Sequence, residues 1–361
     1  MTFAGRSLDI VVLGVSFLGT VALTPVARRL ALRLGFVDRP AAHKFHRSPT
    51  PYLGGLAVAV VVLGFVAVDL IANPGLRTKI LAFGVGGALV AGVGLLDDWR
   101  GLGITVRLAV QSIAAAVLWL GGIGLTPTHL RPVNLGLTIL VVVLVTNSIN
   151  LLDNMDGLAA GAVAIAAICC YAMAAWEGQR LIAPIAMAVA GACIGFLCYN
   201  FPPARIFLGD AGSLLLGFSL AAILVQINLH SDPLVTRVVA RALVIGVPLF
   251  DTALVVASRR RAKRPVLRGG TDHLSHRLLR SGLTPRGTAV AIYLLSAASG
   301  ALGLALVRSA SGLATLSILF SLVVGVPILI RVLESPRLSP AKTSQIANTP
   351  GQRRDTLRGA G

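Results

Sequence analysis

The chain has 361 residues, of which 55% are hydrophobic, 13% charged and 5% aromatic, and its mean hydropathy is +0.83. That balance excludes a soluble domain, and unbroken apolar runs of about 20 residues call for membrane-spanning helices rather than an outer-membrane barrel. The net charge of +18 arises from 32 Lys and Arg against 14 Asp and Glu, but the basic residues sit between the apolar runs, where topology and anionic headgroups account for them; no nucleic acid is expected as a partner.

In chain order, eleven spans are expected, at about 8–33, 54–73, 78–96, 104–124, 133–151, 157–176, 181–200, 211–228, 234–257, 286–307 and 311–333. The fold class is all-α, a polytopic integral membrane protein. The first run continues past a short signal-peptide core without a clear cleavage site, so it reads as an uncleaved span. Cys169, Cys170, Cys193 and Cys198 lie inside apolar runs without metal-ligand spacing and read as small packing residues. Residues 1–334 read as one membrane domain, and 335–361 as a basic tail expected to be disordered.

Basic residues set the orientation. With the N-terminus outside and the C-terminus cytoplasmic, twenty-four of the 32 Lys and Arg lie inside and eight outside. The same orientation gathers every polar cluster, at 38–55, 97–107, 147–157, 202–213 and 259–279, on the cytoplasmic side. Chemistry is therefore expected at the inner membrane face.

Each cluster has a chemical reading beside a plainer one. The segment 43–55 combines His43, Lys44, His46 and Arg47 with Gly54 and Gly55, cations next to a backbone able to come close to a ligand. Asp97 and Asp98 end the third span; paired carboxylates there need water, a cation or a basic partner, although a solvated helix end is the simpler reading. Arg107 follows, within reach of a phosphate or snorkelling to the surface.

Asn147, Asn150, Asp153 and Asp156 recur every third residue, and on one straight helix they would spread over about half its circumference. Gly157 predicts a helix break near Asn154 that turns Asp153 and Asp156 toward the two amides. Such oxygens suit a hard cation and a phosphorylated substrate, or simply a polar turn with caps. In 202–213, Gly209 and Gly212 allow close approach, Asp210 supplies a hard anionic ligand or an N-cap, and Ser213 opens a helix whose N-terminus favours phosphate. In the longest inner loop, His273 and His276 share a face if the segment is helical, and with Arg268 and Arg277 would present donors to a diphosphate. Zinc and a solvated basic loop are the other readings. Taken together, these groups describe phosphoryl transfer between a soluble nucleotide and a lipid.

These motifs, in this order, resemble the polyprenyl-phosphate N-acetylhexosamine-1-phosphate transferases of glycosyltransferase family 4. The resemblance runs from Asp38 to Leu279 through Asp97-Asp98, Asn147-x-x-Asn150-x-x-Asp153-x-x-Asp156-Gly157-Leu158-Ala159, Pro203-Ala204-Arg205-Ile206-Phe207-Leu208-Gly209-Asp210-x-Gly212-Ser213 and the histidine loop. It implies an eleven-span fold, Mg2+ (or Mn2+), a UDP-linked N-acetyl sugar and a polyprenyl phosphate in the lipid bilayer, with UMP released; a homodimer is left open. It puts Asp97, Asp98, Asp153, His273 and His276 in the catalytic set, Asp210 and Asn150 on the metal, and Asp156 and Phe207 beside the uracil. Arg277 would hold the diphosphate or sugar, and Arg47 and Arg107 are further phosphate candidates. His273-Leu-Ser-His276-Arg277 replaces the consecutive histidines of the phospho-N-acetylmuramoyl-pentapeptide branch, which favours UDP-N-acetylglucosamine. A CDP-alcohol phosphatidyltransferase is disfavoured because Asp156-Gly157 is not followed by that family's pattern. A secondary transporter is disfavoured because the acids cluster at helix ends.

Overall fold

A computed structural model describes residues 3–38, 49–229, 233–265, 270–309 and 312–334. Arg47, Arg268 and the tail from 335 onward lie outside the described residues. The helices are α1 (Phe3–Leu34), α2 (Gly54–Ala72), α3 (Arg77–Arg100), α4 (Ile104–Leu120), α5 (Arg131–Leu152), α6 (Leu158–Trp176) and α7 (Ile182–Asn200). They continue as α8 (Gly209–Gln226), α9 (Leu234–Val244), α10 (Gly246–Arg261), α11 (Leu274–Arg280), α12 (Pro285–Ser309) and α13 (Gly312–Leu333). A two-residue antiparallel ribbon, β1 (Val37–Asp38) with β2 (Thr50–Pro51), is added to the expected all-helical fold.

Every expected apolar run is helical, with two departures from eleven regular spans. Among the described residues nine helices are long and apolar enough to cross a membrane, and α4, with 17 residues, is a shorter apolar helix. The expected span at 234–257 is two helices, α9 and α10, which meet at an angle of 80°. Pro248 explains the break: it has no N–H to give the Val244 carbonyl, and its ring would collide with that carbonyl in a continuous helix. Counted as one bent span, the pair brings the long spans to ten.

The helix that positions the site is α8, whose residues 211–225 are all buried. Its first turn meets α2 backbone to backbone: a Cβ on Gly55 would lie 2.2 Å from the Gly212 nitrogen. Side chains are excluded from that contact, so the start of α8 is held by main chain on one side and, as described below, by the end of α3 on the other. The outer helices α1 and α13 keep most of their apolar side chains exposed, as lipid-facing helices do. Trp99 ends α3 with the Arg100 guanidinium 4.4 Å above its ring. Trp119 and Trp176 lie near the far ends of α4 and α6, under Arg131 and Arg308. Tryptophans paired with cations at both ends of the bundle mark two headgroup levels.

Candidate active site

One cleft of about 1770 Å³ opens at a single end of the bundle, and all five polar clusters contribute to it. Asp38 and Tyr52 come from the ribbon, Asp98 from the end of α3, and Asn150, Asp153 and Asp156 from the α5–α6 junction. Phe207, Gly209 and Asp210 line it from the start of α8, and Arg264, Asp272, His276 and Arg286 from the segment around α11. The expectation that these clusters share one face is thus met by the fold.

The start of α8 is built by a carboxylate 112 residues earlier in the chain. Asp98 accepts hydrogen bonds from the Asp210 and Ala211 N–H groups, at 2.9 and 3.1 Å, and so satisfies two of the donors that a helix N-terminus leaves open. Gly209 is required there: its φ is +74°, and a Cβ would sit 2.7 Å from Asp98 Oδ2. Asp98 therefore lines the cleft with both oxygens engaged, as a clamp on the loop that carries Asp210.

The Asp210 carboxylate points back across the cleft floor. Asn150 Nδ2 donates to its Oδ1 at 2.7 Å and to Ser213 Oγ at 2.9 Å, which leaves the Asn150 amide oxygen as an acceptor. Arg107 Nη1 bridges Asp210 Oδ2 at 3.2 Å and Asp97 Oδ2 at 2.7 Å. Asp97 Oδ1 accepts the Leu102 N–H at 2.5 Å. Asp97 and Arg107 are thus a brace behind Asp210, outside the cleft lining.

The predicted break at the α5–α6 junction is present. Helix α5 ends at Leu152, and Gly157, with φ +76°, starts α6. In between, Asp156 Oδ2 accepts the Ala204 N–H at 2.8 Å, and Asn200 Oδ1 accepts the Gly157 N–H at 3.0 Å, which fixes the turn to the loop before α8. Asn147 does not join the group: its amide nitrogen donates to Gln111 Oε1 and to the Val143 carbonyl, on the α4 side. Burial and the nearby carboxylates of Asp210, Asp98 and Asp156 push the Asp153 carboxyl well above the usual carboxylate range.

This crowding tests the fit of a divalent cation. The donors are carboxylate and amide oxygens, the set a hard ion prefers, and a dication among them would relieve the repulsion that Asp153 records. Among the described residues no three His, Cys, Asp or Glu side chains converge as a complete metal cage. Mg2+ does not need one, because it binds through one or two carboxylates and keeps water and phosphate oxygens for the rest.

The histidine loop departs most from the sequence expectation. His273 is buried: its Nδ1 faces Asp251 Oδ2 at 2.7 Å, and Asp251 Oδ1 accepts the Leu274 N–H at 2.6 Å. It lies outside the cleft lining, edge-on to His276 with ring centroids 6.0 Å apart. Arg277, expected to hold substrate, is only 1% exposed. Its guanidinium donates to the Asp272 and Leu333 carbonyls and to Ser258 Oγ, tying α10, α11 and the end of α13 together. A buried fork with each of its three nitrogens bonded to protein braces the fold, and it lies outside the cleft lining. His276 does line the cleft, and Ser275 beside it donates to Asn154 Oδ1 at 2.5 Å, linking the loop to the α5–α6 junction.

Burial, with His273 and Arg280 close by, pushes the His276 imidazole down from 6.5 to about 4. The ring is therefore neutral at pH 7, offering one donor and one acceptor. Between about 6.5 and about 4 the unfolded chain binds the extra proton and the folded chain does not, so stability is full above that window and falls as pH drops through it. The thermal unfolding midpoint in detergent is expected to fall from pH 7 to pH 5, and less so in His276→Gln. An equal fall in both proteins would contradict this assignment.

Of the residues expected at the site, Asp98, Asn150, Asp153, Asp156, Phe207, Asp210 and His276 share the cleft. Asp97 and Arg107 stand behind it, His273 and Arg277 are packed away, and Arg47 lies outside the described residues. Asp251, Asn154, Asn200 and Arg286 were not anticipated. Asp251 had a signal, as the only acid in the apolar run at 234–257. Arg286, whose Nε donates to the Pro202 carbonyl at 2.9 Å, had none beyond its charge.

A multi-helix membrane protein with a carboxylate-lined cleft at one end of its bundle is the class defined so far. Residues 80–228 match the model for glycosyl transferase family 4. A probable undecaprenyl-phosphate N-acetylglucosaminyl 1-phosphate transferase of Bacillus subtilis is 35% identical over 290 residues, covering 78% of this chain and 80% of its own. A decaprenyl-phosphate N-acetylglucosaminephosphotransferase of Mycobacterium tuberculosis is 34% identical over 326 residues, covering 80% of each chain. A phospho-N-acetylmuramoyl-pentapeptide-transferase of Desulforudis audaxviator is 35% identical over 254 residues, but covers only 59% of this chain. The chain belongs to glycosyl transferase family 4.

Proposed function

We propose that this protein transfers N-acetylglucosamine 1-phosphate from UDP-N-acetylglucosamine to a polyprenyl phosphate at the cytoplasmic face of the membrane, releasing UMP. The observation that carries the reading is the floor of the cleft, where Asp210 and Asn150 meet at 2.7 Å beneath Asp153 and Asp156. Family membership and the greater coverage of the N-acetylglucosaminyl relatives support the sugar assignment.

In this reading the lipid phosphate oxygen bonds to the β-phosphorus, the bond from that phosphorus to the bridging oxygen breaks, and the bridging oxygen leaves on UMP. The acceptor needs little help from a base, since a phosphate monoester with a second pKa of about 6 is largely ionised at pH 7. Asp210 and the Asn150 amide oxygen would hold Mg2+, which, when bound, supplies positive charge to the diphosphate and to departing UMP. Asp98 keeps Asp210 in place through the α8 backbone, and Arg107 fixes the far oxygen. Phe207 offers a ring face to the uracil, and Asp156 pins the loop that carries Phe207. His276 and Arg286 present neutral and cationic donors to the sugar diphosphate.

The test is turnover of purified protein with polyprenyl phosphate and a panel of UDP-N-acetylglucosamine, UDP-N-acetylgalactosamine and UDP-N-acetylmuramoyl-pentapeptide, following UMP. Release with the first alone supports the reading, and release only with the pentapeptide substrate overturns the sugar assignment. Orientation is tested separately in a Cys198→Ser background, because Cys198 is the exposed native thiol among the described residues. Ser281→Cys, exposed beside α11, is expected to react with an impermeant thiol reagent only after the inner face is opened, and Thr126→Cys in intact cells. The reverse pattern would put the cleft on the outer face.

A further inference from the structure

A second recess, of about 250 Å³, lies between the end of α1 and the loop after α7, lined by Pro25, Arg28, Arg29, Tyr199 and Arg205. Its walls are tied together. Arg28 Nε donates to the Arg205 carbonyl at 3.2 Å, the Tyr199 hydroxyl to the Val21 carbonyl at 3.1 Å, and the Arg205 N–H to the Tyr199 carbonyl at 2.8 Å. Among the described residues none of the three guanidinium groups forms an ion pair with a carboxylate. Three guanidinium groups without a carboxylate partner make this small hollow electropositive, and an anion is the ligand such a hollow attracts.

The depth of the recess and the face leading to it identify the anion's source. The α1 span covers 28 residues, Ser7–Leu34. At about 1.5 Å per residue it is longer than the roughly 30 Å hydrocarbon core, so its C-terminal turns, with Arg28 and Arg29, reach headgroup level. Leading to Arg29 along one face of α1 are Val11, Val15, Leu18, Ala22 and Val26, spaced three and four apart and all exposed. An apolar track that ends at a cationic hollow matches an acyl chain below a phosphate.

We propose that this recess is a binding site for the phosphodiester headgroup of an anionic membrane phospholipid, whose acyl chain lies along the exposed face of α1. The site is separate from the cleft and asks nothing of the transferase chemistry. Arg205 stands two residues before Phe207, so an occupied recess would also brace the loop that reaches the cleft.

Native mass spectrometry of the full chain, delipidated in detergent and titrated with phosphatidylglycerol, phosphatidylcholine or inorganic phosphate, reads this directly. One phosphatidylglycerol per chain is expected to be held in preference to phosphatidylcholine and to resist inorganic phosphate at equal concentration. With each basic residue worth about fivefold at a charged surface, Arg29→Gln should weaken retention about fivefold and the Arg28→Gln/Arg29→Gln/Arg205→Gln variant about a hundredfold. Arg77→Gln, near the start of α3, should change nothing. Equal retention by wild type and Arg29→Gln overturns the proposal even if the triple variant fails to fold, because the Arg29 side chain makes no hydrogen bond among the described residues. Ready displacement by inorganic phosphate also overturns it, since the hollow would then be a free-phosphate site.

Discussion

Asp210→Asn is expected to lower turnover by about 10²–10³-fold while expression and thermal unfolding stay close to wild type. The amide keeps the shape of the carboxylate and an oxygen for Asn150 Nδ2, so the 2.7 Å contact at the cleft floor survives. What goes is the negative charge next to the reacting diphosphate, together with the Arg107 contact to Oδ2, where the amide nitrogen now stands. Losing one preorganised electrostatic contribution of about 3–4 kcal/mol has the stated effect on rate. A second readout separates metal binding from chemistry: Mn2+ bound to wild type, followed by electron paramagnetic resonance, should be released at lower ionic competition in Asp210→Asn. Near-normal turnover with unchanged Mn2+ affinity would remove Asp210 from the proposed metal site.

The turn that presents Asp210 was legible in the sequence because the residues that make it are local. Gly209, Gly212 and Ser213 announce a tight turn into a helix, and the α8 N-terminus is formed by those residues. The break before α6 was legible for the same reason, since Gly157 alone can take φ +76° cheaply there. Asp98 was not legible in its actual place. A carboxylate at the end of α3 looks the same in sequence whether it faces water, a cation or the N–H groups of a helix 112 residues away. Arg277 departs in the opposite sense, because charge suggested a ligand while each guanidinium nitrogen bonds to protein and joins α10, α11 and the end of α13. The bend between α9 and α10 was available in Pro248, but the high hydropathy of the run concealed it.

The state of Asp97 bears on the chemistry itself. A nucleophilic carboxylate must present a free oxygen to the β-phosphorus, yet Asp97 accepts from Leu102 N–H at 2.5 Å and from Arg107 Nη1 at 2.7 Å, one bond to each oxygen, and is only 7% exposed. It also stands behind Asp210, outside the cleft lining. To attack through either oxygen, it would have to give up the bond on that oxygen, the Leu102 N–H on Oδ1 or the Arg107 guanidinium on Oδ2. A lipid phosphate, anchored by its own tail at the level marked by Trp99, meets none of those costs and arrives already ionised. Direct displacement requires both substrates to be bound together. Enzyme mixed with UDP-N-acetylglucosamine alone is therefore expected to release no stoichiometric UMP, and adding polyprenyl phosphate should start release at once. Asp97→Asn should slow the steady state by loosening the Arg107 brace, without a UMP burst before or after the change. A lipid-independent burst equal to the enzyme concentration, present in wild type and lost in Asp97→Asn, would establish a covalent aspartyl intermediate instead.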